Sequence, residues 1–251
     1  MVFEISGSLT EALRSAGSLG VVTGAGISAA SGIPTYRGQG GIYDDPEEGD
    51  RTVEALSAPT LRDDPDRTWR AIKDLALAAR SATPNAGHHA LVALEQRFDR
   101  FVLLTQNVDG LHEAAGSQNV IDIHGNLRRT TCQACAAIGA EPDWDGIDGA
   151  PRCSCGGLLR PDVVLFEEML PPDKVARLYA ELVGDPPEVV IAVGTTAMFP
   201  YICEPVHAAR LAGGTTVEIN PEQTPLSSVV SHRLAGAADA ILPALVAALQ
   251  A

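Results

Sequence analysis

The 251-residue chain predicts an α/β fold, a mostly parallel sheet with helices on both faces, and three observations predict it. Short apolar runs recur: Leu19 to Thr23, Phe101-Val102-Leu103-Leu104-Thr105, Val120-Ile121-Asp122-Ile123, Val163-Val164-Leu165-Phe166, Val189-Val190-Ile191-Ala192-Val193 and Thr215-Thr216-Val217-Glu218-Ile219. Helical patterning fills the intervals between most of them, which is what parallel strands require of their crossovers. Five runs end in polar or glycine-rich residues: Gly24-Ala25-Gly26, Gln106-Asn107-Val108-Asp109, His124-Gly125, Gly194-Thr195-Thr196 and Asn220-Pro221-Glu222. Ligands of open parallel sheets collect beyond the carboxyl ends of the strands, so these five segments are expected to line one crevice.

Taken in order, Ser8-Leu9-Thr10-Glu11 has capping-box spacing ahead of a short amphipathic helix. The first buried strand, Leu19 to Thr23, runs into Gly24-Ala25-Gly26-Ile27-Ser28-Ala29, a Gly-x-Gly-x-x-Ala turn. Such a turn brings backbone N–H groups up to a pyrophosphate at a helix start. An ordinary dinucleotide fold would place a ribose-binding acid about 20 residues on, at the end of a second strand. Asp44 and Asp45 fall there, but in the glycine-rich stretch Arg37 to Tyr43, which has no strand pattern. Residues from about 34 to 62 read instead as a long loop placed over the nucleotide. Helices follow at Asp66 to Ala82 and, introduced by Pro84, at Asn85 to Gln96.

A chain with 45% hydrophobic residues can bury one large core and a second small unit. It contains no apolar run near the ~20 residues of a membrane span, and Met1-Val2-Phe3-Glu4 lacks the character of a secretory leader. A cytoplasmic protein with no membrane partner is the expectation. The formal charge of −14 repels phosphate polymers, so no nucleic-acid partner is expected and a basic partner suits it better. The acidity is equally consistent with keeping the protein soluble.

Cys132-x-x-Cys135 and Cys153-x-Cys155 have the pairing of a tetrahedral zinc site. A disulfide is the alternative, disfavoured where thiols stay reduced. Four protein ligands saturate one ion, so the zinc would be structural, holding together a glycine-rich module that lacks a core. The single residue between Cys153 and Cys155 is short for such a site, and Cys203 reads as a packed apolar residue. Of six histidines, His88, His89, His112, His207 and His232 lie in helical stretches. His124 stands at the carboxyl end of a strand among the crevice residues, where an imidazole suits general-base work, a packed hydrogen-bonded histidine being the other reading.

In combination these strings resemble the sirtuin family. The resemblance is carried by Gly24-Ala25-Gly26-Ile27-Ser28, Ser31-Gly32-Ile33-Pro34-Thr35-Tyr36-Arg37-Gly38, Thr105-Gln106-Asn107-Val108-Asp109-Gly110-Leu111-His112, His124-Gly125, the four cysteines, Gly194-Thr195-Thr196 and Asn220-Pro221-Glu222, in order from about residue 18 to 245. It implies a Rossmann-like NAD-binding domain of residues 1–33, 83–127 and 160–251, a cofactor loop and helical insertion at 34–82, and a zinc-ribbon module at 128–159. It also implies an NAD-dependent protein-lysine deacylase, in which NAD is a consumed co-substrate and the partners are acyl-lysine proteins or peptides. The acyl oxygen attacks C1′ of the nicotinamide ribose, giving an imidate that ends as free lysine and O-acyl-ADP-ribose.

By this resemblance His124 is the base that activates the ribose hydroxyl. Asn107 and Asp109 face the nicotinamide, and Gln106 bonds its ribose. Gly24, Ala25, Gly26 and Ser28 hold the diphosphate, and Tyr36 and Arg37 belong to the covering loop. Gly194, Thr195, Thr196, Asn220, Pro221, Glu222 and Ala238 surround the adenosine half, and Val163, Phe166 and Glu167 meet the peptide. The chain departs from the family at Phe166-Glu167-Glu168, where Phe-Gly-Glu is common, and has Tyr36 where Phe is usual. Thr68-Trp69-Arg70-Ala71-Ile72-Lys73 contains no Tyr-x-x-Arg pair for an acyl carboxylate, so an acetyl or other uncharged acyl group is expected. An NAD glycohydrolase or ADP-ribosyltransferase using the same crevice, and a binding module without turnover, are the competing readings.

Overall fold

The computed structural model describes residues 5–35 and 46–250. Helix α1, Gly7–Ser15, leads into β1, Ser18–Thr23, which is flanked by β2, Arg100–Thr105, and β7, Val189–Val193. With β3, Val120–Asp122, β8, Thr215–Ile219, and β9, His232–Leu234, the main sheet has the order β3-β2-β1-β7-β8-β9. All five of its pairings are parallel. The register places Thr23 beside both Thr105 and Val193, so the carboxyl ends of β1, β2 and β7 finish level. The strand order reverses direction about β1, where ligands of open sheets bind.

Helices cover both faces because the central strands are apolar on both sides. One face packs on α1, on α5, Ala86–Glu95, and on α9, Ala238–Gln250, around Leu9, Leu91, Leu103, Ile191 and Ile241. The other packs Val22, Leu104 and Ile123 under α7, Pro172–Leu178, and α8, Pro200–Leu211. Asn85 caps α5 through its side-chain oxygen while its amide reaches the Ile27 carbonyl at 2.8 Å and Ser31 Oγ at 2.9 Å. One residue thus starts a helix and clamps the turn after β1.

Four readings of the sequence are corrected. The cap of α1 is Ser6, whose hydroxyl accepts from Leu9 N–H, not Ser8 with Glu11. The expected loop of residues 34–62 contains two helices, α2, Pro46–Ala55, and α3, Ala58–Asp63; α3 is opened by a Ser57 cap. The run from Val163 to Phe166 is not a strand of the main sheet. Its first residue closes β6, Leu159–Val163, which pairs antiparallel with β4, Gly125–Cys132, in a separate three-stranded sheet with β5, Ile138–Gly139. Finally, His232 lies on the edge strand β9 rather than in a helix.

Against the three-stranded sheet a second core forms from Leu56, Leu61, Trp69, Ile72, Leu127, Trp144, Ile147, Val163 and Leu165. Trp69, on α4, Pro65–Ala79, is fully buried, donates through Nε1 to the Leu159 carbonyl at 3.0 Å and lies 6.0 Å from the Trp144 ring. Next to this core, Phe166 N–H donates to the Leu56 carbonyl and Ala58 N–H to the Phe166 carbonyl, both at 2.9 Å. No helix among the described residues is long and apolar enough to cross a membrane.

Candidate active site

The site is built where β1, β2 and β7 end. Gly24 N–H donates to the Val193 carbonyl, Gly26 N–H to the Gly194 carbonyl and Gly194 N–H to the Ile219 carbonyl, lacing three strand ends together at 2.9–3.0 Å. The approach leaves no room for side chains: a Cβ on Gly26 would come within 2.7 Å of Gly194 Cα. Two short 3-10 turns follow, Ala25–Ile27 and Ala29–Ser31, with Ser28 buried between them.

The polar residues after β2 bond back to this turn. Asn107 Nδ2 donates to the Gly24 carbonyl and to Ser28 Oγ, both at 3.2 Å, and Ser28 Oγ donates to Asp109 Oδ2 at 2.7 Å. Asp109 Oδ1 accepts from Leu111 N–H at 2.9 Å, which fixes the carboxylate at the start of α6, Leu111–Ala115. Gln106 Nε2 donates to Thr195 Oγ1 at 2.8 Å, and Asn220 Nδ2 to the Thr195 carbonyl at 2.9 Å. The side chains therefore form two hydrogen-bonded groups on the crevice floor, Asn107 with Ser28 and Asp109 on one side and Gln106 with Thr195 and Asn220 on the other.

His124 bonds the backbone of Gln106. Its Nδ1 lies 3.0 Å from the Gln106 carbonyl, which can only accept, so Nδ1 carries the proton and Nε2 the lone pair. Nε2 in turn lies 2.7 Å from the hydroxyl of Tyr201. Burial pushes the His124 pKa down, the Gln106 carbonyl raises it and Lys174 lowers it, the net direction being below the ordinary value. The backbone after His124 turns at Gly125, whose φ of 90° suits glycine, and the His124 carbonyl accepts from Val164 N–H at 2.8 Å.

Beneath the crevice, His112 Nε2 bonds Thr23 Oγ1 at 2.9 Å, and Thr23 Oγ1 donates to Thr105 Oγ1 at 2.8 Å. The rings of His88 and His112 lie 5.0 Å apart, tilted by 57°, and both are buried. Burial depresses His88 to about 4 and His112 to about 3, so both are neutral supports of the floor.

Toward the solvent, Gly194, Thr195, Asn220, Pro221 and Glu222 gather at the ends of β7 and β8, with Thr196 exposed and Glu222 N–H on Asn220 Oδ1. Ala238, buried, opens α9 beside Gly87. Val163, Phe166 and Glu167 lie on the segment that follows Gly125's pairing with β6. Glu167 adopts a φ of 67°, a left-handed conformation. Glu168 forms a two-pronged pair with Arg160, both bonds at 2.7 Å. Tyr36 and Arg37 lie outside the described residues. In α4, Arg70 is exposed, whereas Lys73 Nζ donates to the Ile147 carbonyl at 2.7 Å and is held against the loop before β6.

The four cysteines meet. All four Sγ atoms lie within 4.8 Å of one another, with Cys132 to Cys155 at 3.5 Å and Cys135 to Cys153 at 3.8 Å. A tetrahedral zinc with Zn–S bonds of about 2.3 Å requires S···S edges of about 3.8 Å, so the donor set fits that ion. The short Cys153-x-Cys155 spacing is accommodated by a tight turn in which Gly156 N–H bonds the Cys153 carbonyl at 2.8 Å.

Tyr201 was not among the residues singled out from the sequence. It lies in Met198-Phe199-Pro200-Tyr201, directly after the Gly194-Thr195-Thr196 turn, and a proline opening a helix beside two aromatics was the signal available.

Residues 24–199 match the model of the Sir2 family. The chain belongs to the Sir2 family. A Pseudomonas aeruginosa relative of this Sir2 chain, named NAD-dependent protein deacylase 2, is 48% identical over 245 residues, 95% of each chain. The solved structure of a Sir2 homolog–NAD complex superposes with a TM-score of 0.86 at 36% identity, covering 98% of this chain and 94% of that one. A Sir2 structure with a deacetylated p53 peptide and 3′-O-acetyl ADP ribose has a TM-score of 0.82 at 27% identity, covering 95% and 96%.

Proposed function

We infer that this Sir2-family chain is an NAD-dependent protein-lysine deacylase that releases nicotinamide and leaves free lysine and O-acyl-ADP-ribose. One observation carries the reading: a neutral imidazole, His124, is bonded to the backbone carbonyl of Gln106, the residue directly before Asn107, whose side chain joins Ser28, Asp109 and the Gly24 carbonyl. The family relationship and the relative solved with a deacetylated peptide support the same chemistry.

Bound NAD supplies an electrophilic ribose carbon as nicotinamide departs, and the acyl oxygen of the modified lysine attacks it. The chain's residues do the rest. Gly24, Ala25, Gly26 and Ser28 hold the diphosphate in a turn whose glycines let it approach the backbone closely. Asn107 and Asp109 recognise the carboxamide, Gln106 orients the adjoining ribose, and His124 Nε2 takes a proton from a ribose hydroxyl. Gly194, Thr195, Thr196, Asn220, Pro221, Glu222 and Ala238 surround the adenosine half, and Tyr36 and Arg37 cover the cofactor. Val163, Phe166 and Glu167 meet the acyl-lysine peptide. Lys73 is engaged and Arg70 exposed, which supports an uncharged acyl group.

Cys132, Cys135, Cys153 and Cys155 hold one structural zinc, and their need for reduced thiols suits the cytoplasm. On this reading the ribbon spans 128–159, the cofactor loop and helical insertion 34–82, and the NAD-binding domain the remainder.

Mixing the protein with NAD and an acetyl-lysine peptide should yield O-acetyl-ADP-ribose by mass spectrometry. His124→Ala should lose that product while retaining zinc and fold. Free ADP-ribose without acyl transfer would overturn the deacylase reading in favour of a glycohydrolase.

A further inference from the structure

The hydroxyl of Tyr201 has no packing role that a phenylalanine could not fill. Its ring stacks on Phe199 with centroids 5.6 Å apart and planes 20° apart, and packs against the core cluster of Val22, Leu104, Ile121 and Ile123. The oxygen lies 2.7 Å from His124 Nε2, and the imidazole stands edge-on to both aromatic rings at 81° and 83°. With the Gln106 carbonyl fixing the proton on Nδ1, the phenol is the donor and Nε2 the acceptor.

We propose that Tyr201 is a positioning residue for the deacylase reaction: its phenol holds His124 in the neutral Nδ1–H form and occupies Nε2 until the ribose hydroxyl takes its place. The proposal rests on the reading of His124 as the base. Both nitrogens of the ring are then specified, one by a carbonyl and one by a hydroxyl, so the imidazole has neither tautomeric nor rotational freedom. A hydrogen bond donated to Nε2 favours the neutral ring, since protonation of that nitrogen must break it.

No proton is drawn from Tyr201 itself. Burial raises its phenol to about 12, so it keeps its hydrogen and moves aside as an intact donor. The proton accepted by Nε2 comes from the ribose hydroxyl.

The other charged groups around the ring are accounted for. Lys174 of α7 bears on His124 but is bonded to Asp122 Oδ1 at 2.7 Å, and Asp122 is shared with Arg129. Arg160 and Glu168, across the cavity lined by Gly125, Val164 and Lys174, neutralise each other. The Gln106 carbonyl is retained in any Tyr201 variant. The hydroxyl is therefore the one contact of the ring that Tyr201→Phe removes.

The test is nitrogen-15 NMR of the imidazole in the full-length protein, paired with the pH profile of kcat/KM for NAD. Wild-type His124 should show a protonated Nδ1 and an unprotonated, hydrogen-bonded Nε2. Tyr201→Phe should raise the His124 pKa by about half a unit to one unit and move the acidic limb of the profile by the same amount, with the high-pH plateau changed less than about threefold. An Nε2–H tautomer in the wild type, or an unmoved pKa and limb in the variant, would overturn the proposal. A wild-type Nε2 that carries no donated hydrogen bond overturns the proposal even if the variant does not fold. Turnover surviving in His124→Ala would remove the base assignment instead, leaving the imidazole measurements unaffected.

Discussion

Lowering the pH should destabilise this protein through two imidazoles that do not touch substrate. His88 and His112 are 0% and 1% exposed, and burial holds them neutral, with pKa values near 4 and 3; the neighbouring His88 adds to the depression of His112. Both values lie below the ordinary 6.5, so the unfolded chain binds protons that the folded chain refuses. Their contribution is complete above about pH 6.5 and is lost progressively as pH falls toward the folded values. Between about pH 7.5 and about pH 5, each imidazole should remove about 2 kcal/mol, about 4 kcal/mol together, from a total of about 5–15 kcal/mol. Urea unfolding at the two pH values measures the loss. In His112→Gln the amide can still donate to Thr23 Oγ1, but one titration is gone, so the pH-dependent loss should shrink by about 2 kcal/mol. Proton uptake by zinc thiolates is common to both proteins, which makes the difference between them diagnostic. A difference below about 0.5 kcal/mol would refute the argument from burial.

Replacing Glu167 by Gly relieves a left-handed residue and should stabilise the fold by about 0.5–1 kcal/mol, read as a raised midpoint in thermal unfolding, whereas Glu167→Val should lower it. Asn85→Ala removes a helix cap together with two bonds to the turn after β1, and should cost about 2 kcal/mol in urea unfolding. Elemental analysis should find about one zinc per chain, lost in Cys153→Ser. Chelation should alter tryptophan fluorescence, because Trp69 bonds Leu159 of the ribbon sheet and packs beside Trp144.

The crevice was legible because its residues follow apolar runs directly, and a parallel sheet brings all such ends to one edge. His124 could be separated from five other histidines on that ground alone. Legibility failed where local pattern and tertiary role diverge. Val163 to Phe166 has the composition of a buried strand, but only Val163 and Leu165 are buried, in the second core beside the small sheet, while Phe166 is exposed. Pro161 just before it pairs with Thr130 at the end of a small antiparallel ladder, where proline is tolerated. Strand β9 is three residues of mixed polarity on an edge, below what alternation can reveal. Helix α2 is acidic and contains Gly49, so its propensity is masked, and it is anchored by buried Ala55 and by Leu56 just beyond its end, which enters the second core. Tyr201 escaped because its partner is distant in sequence, and no spacing rule links residues 124 and 201.

The pairing of Phe166 with Leu56 and Ala58 gives the small helical unit a direct mechanical hold on the strand that flanks His124. Both backbone groups of Phe166 are spent on that unit, so the strand cannot shift without dragging the start of α3 with it, nor can α3 tilt while the strand stays still. Two residues further back, Val164 is fastened to the backbone carbonyl of His124 itself. Three consecutive residues thereby connect the outlying helices to the backbone from which a single imidazole projects.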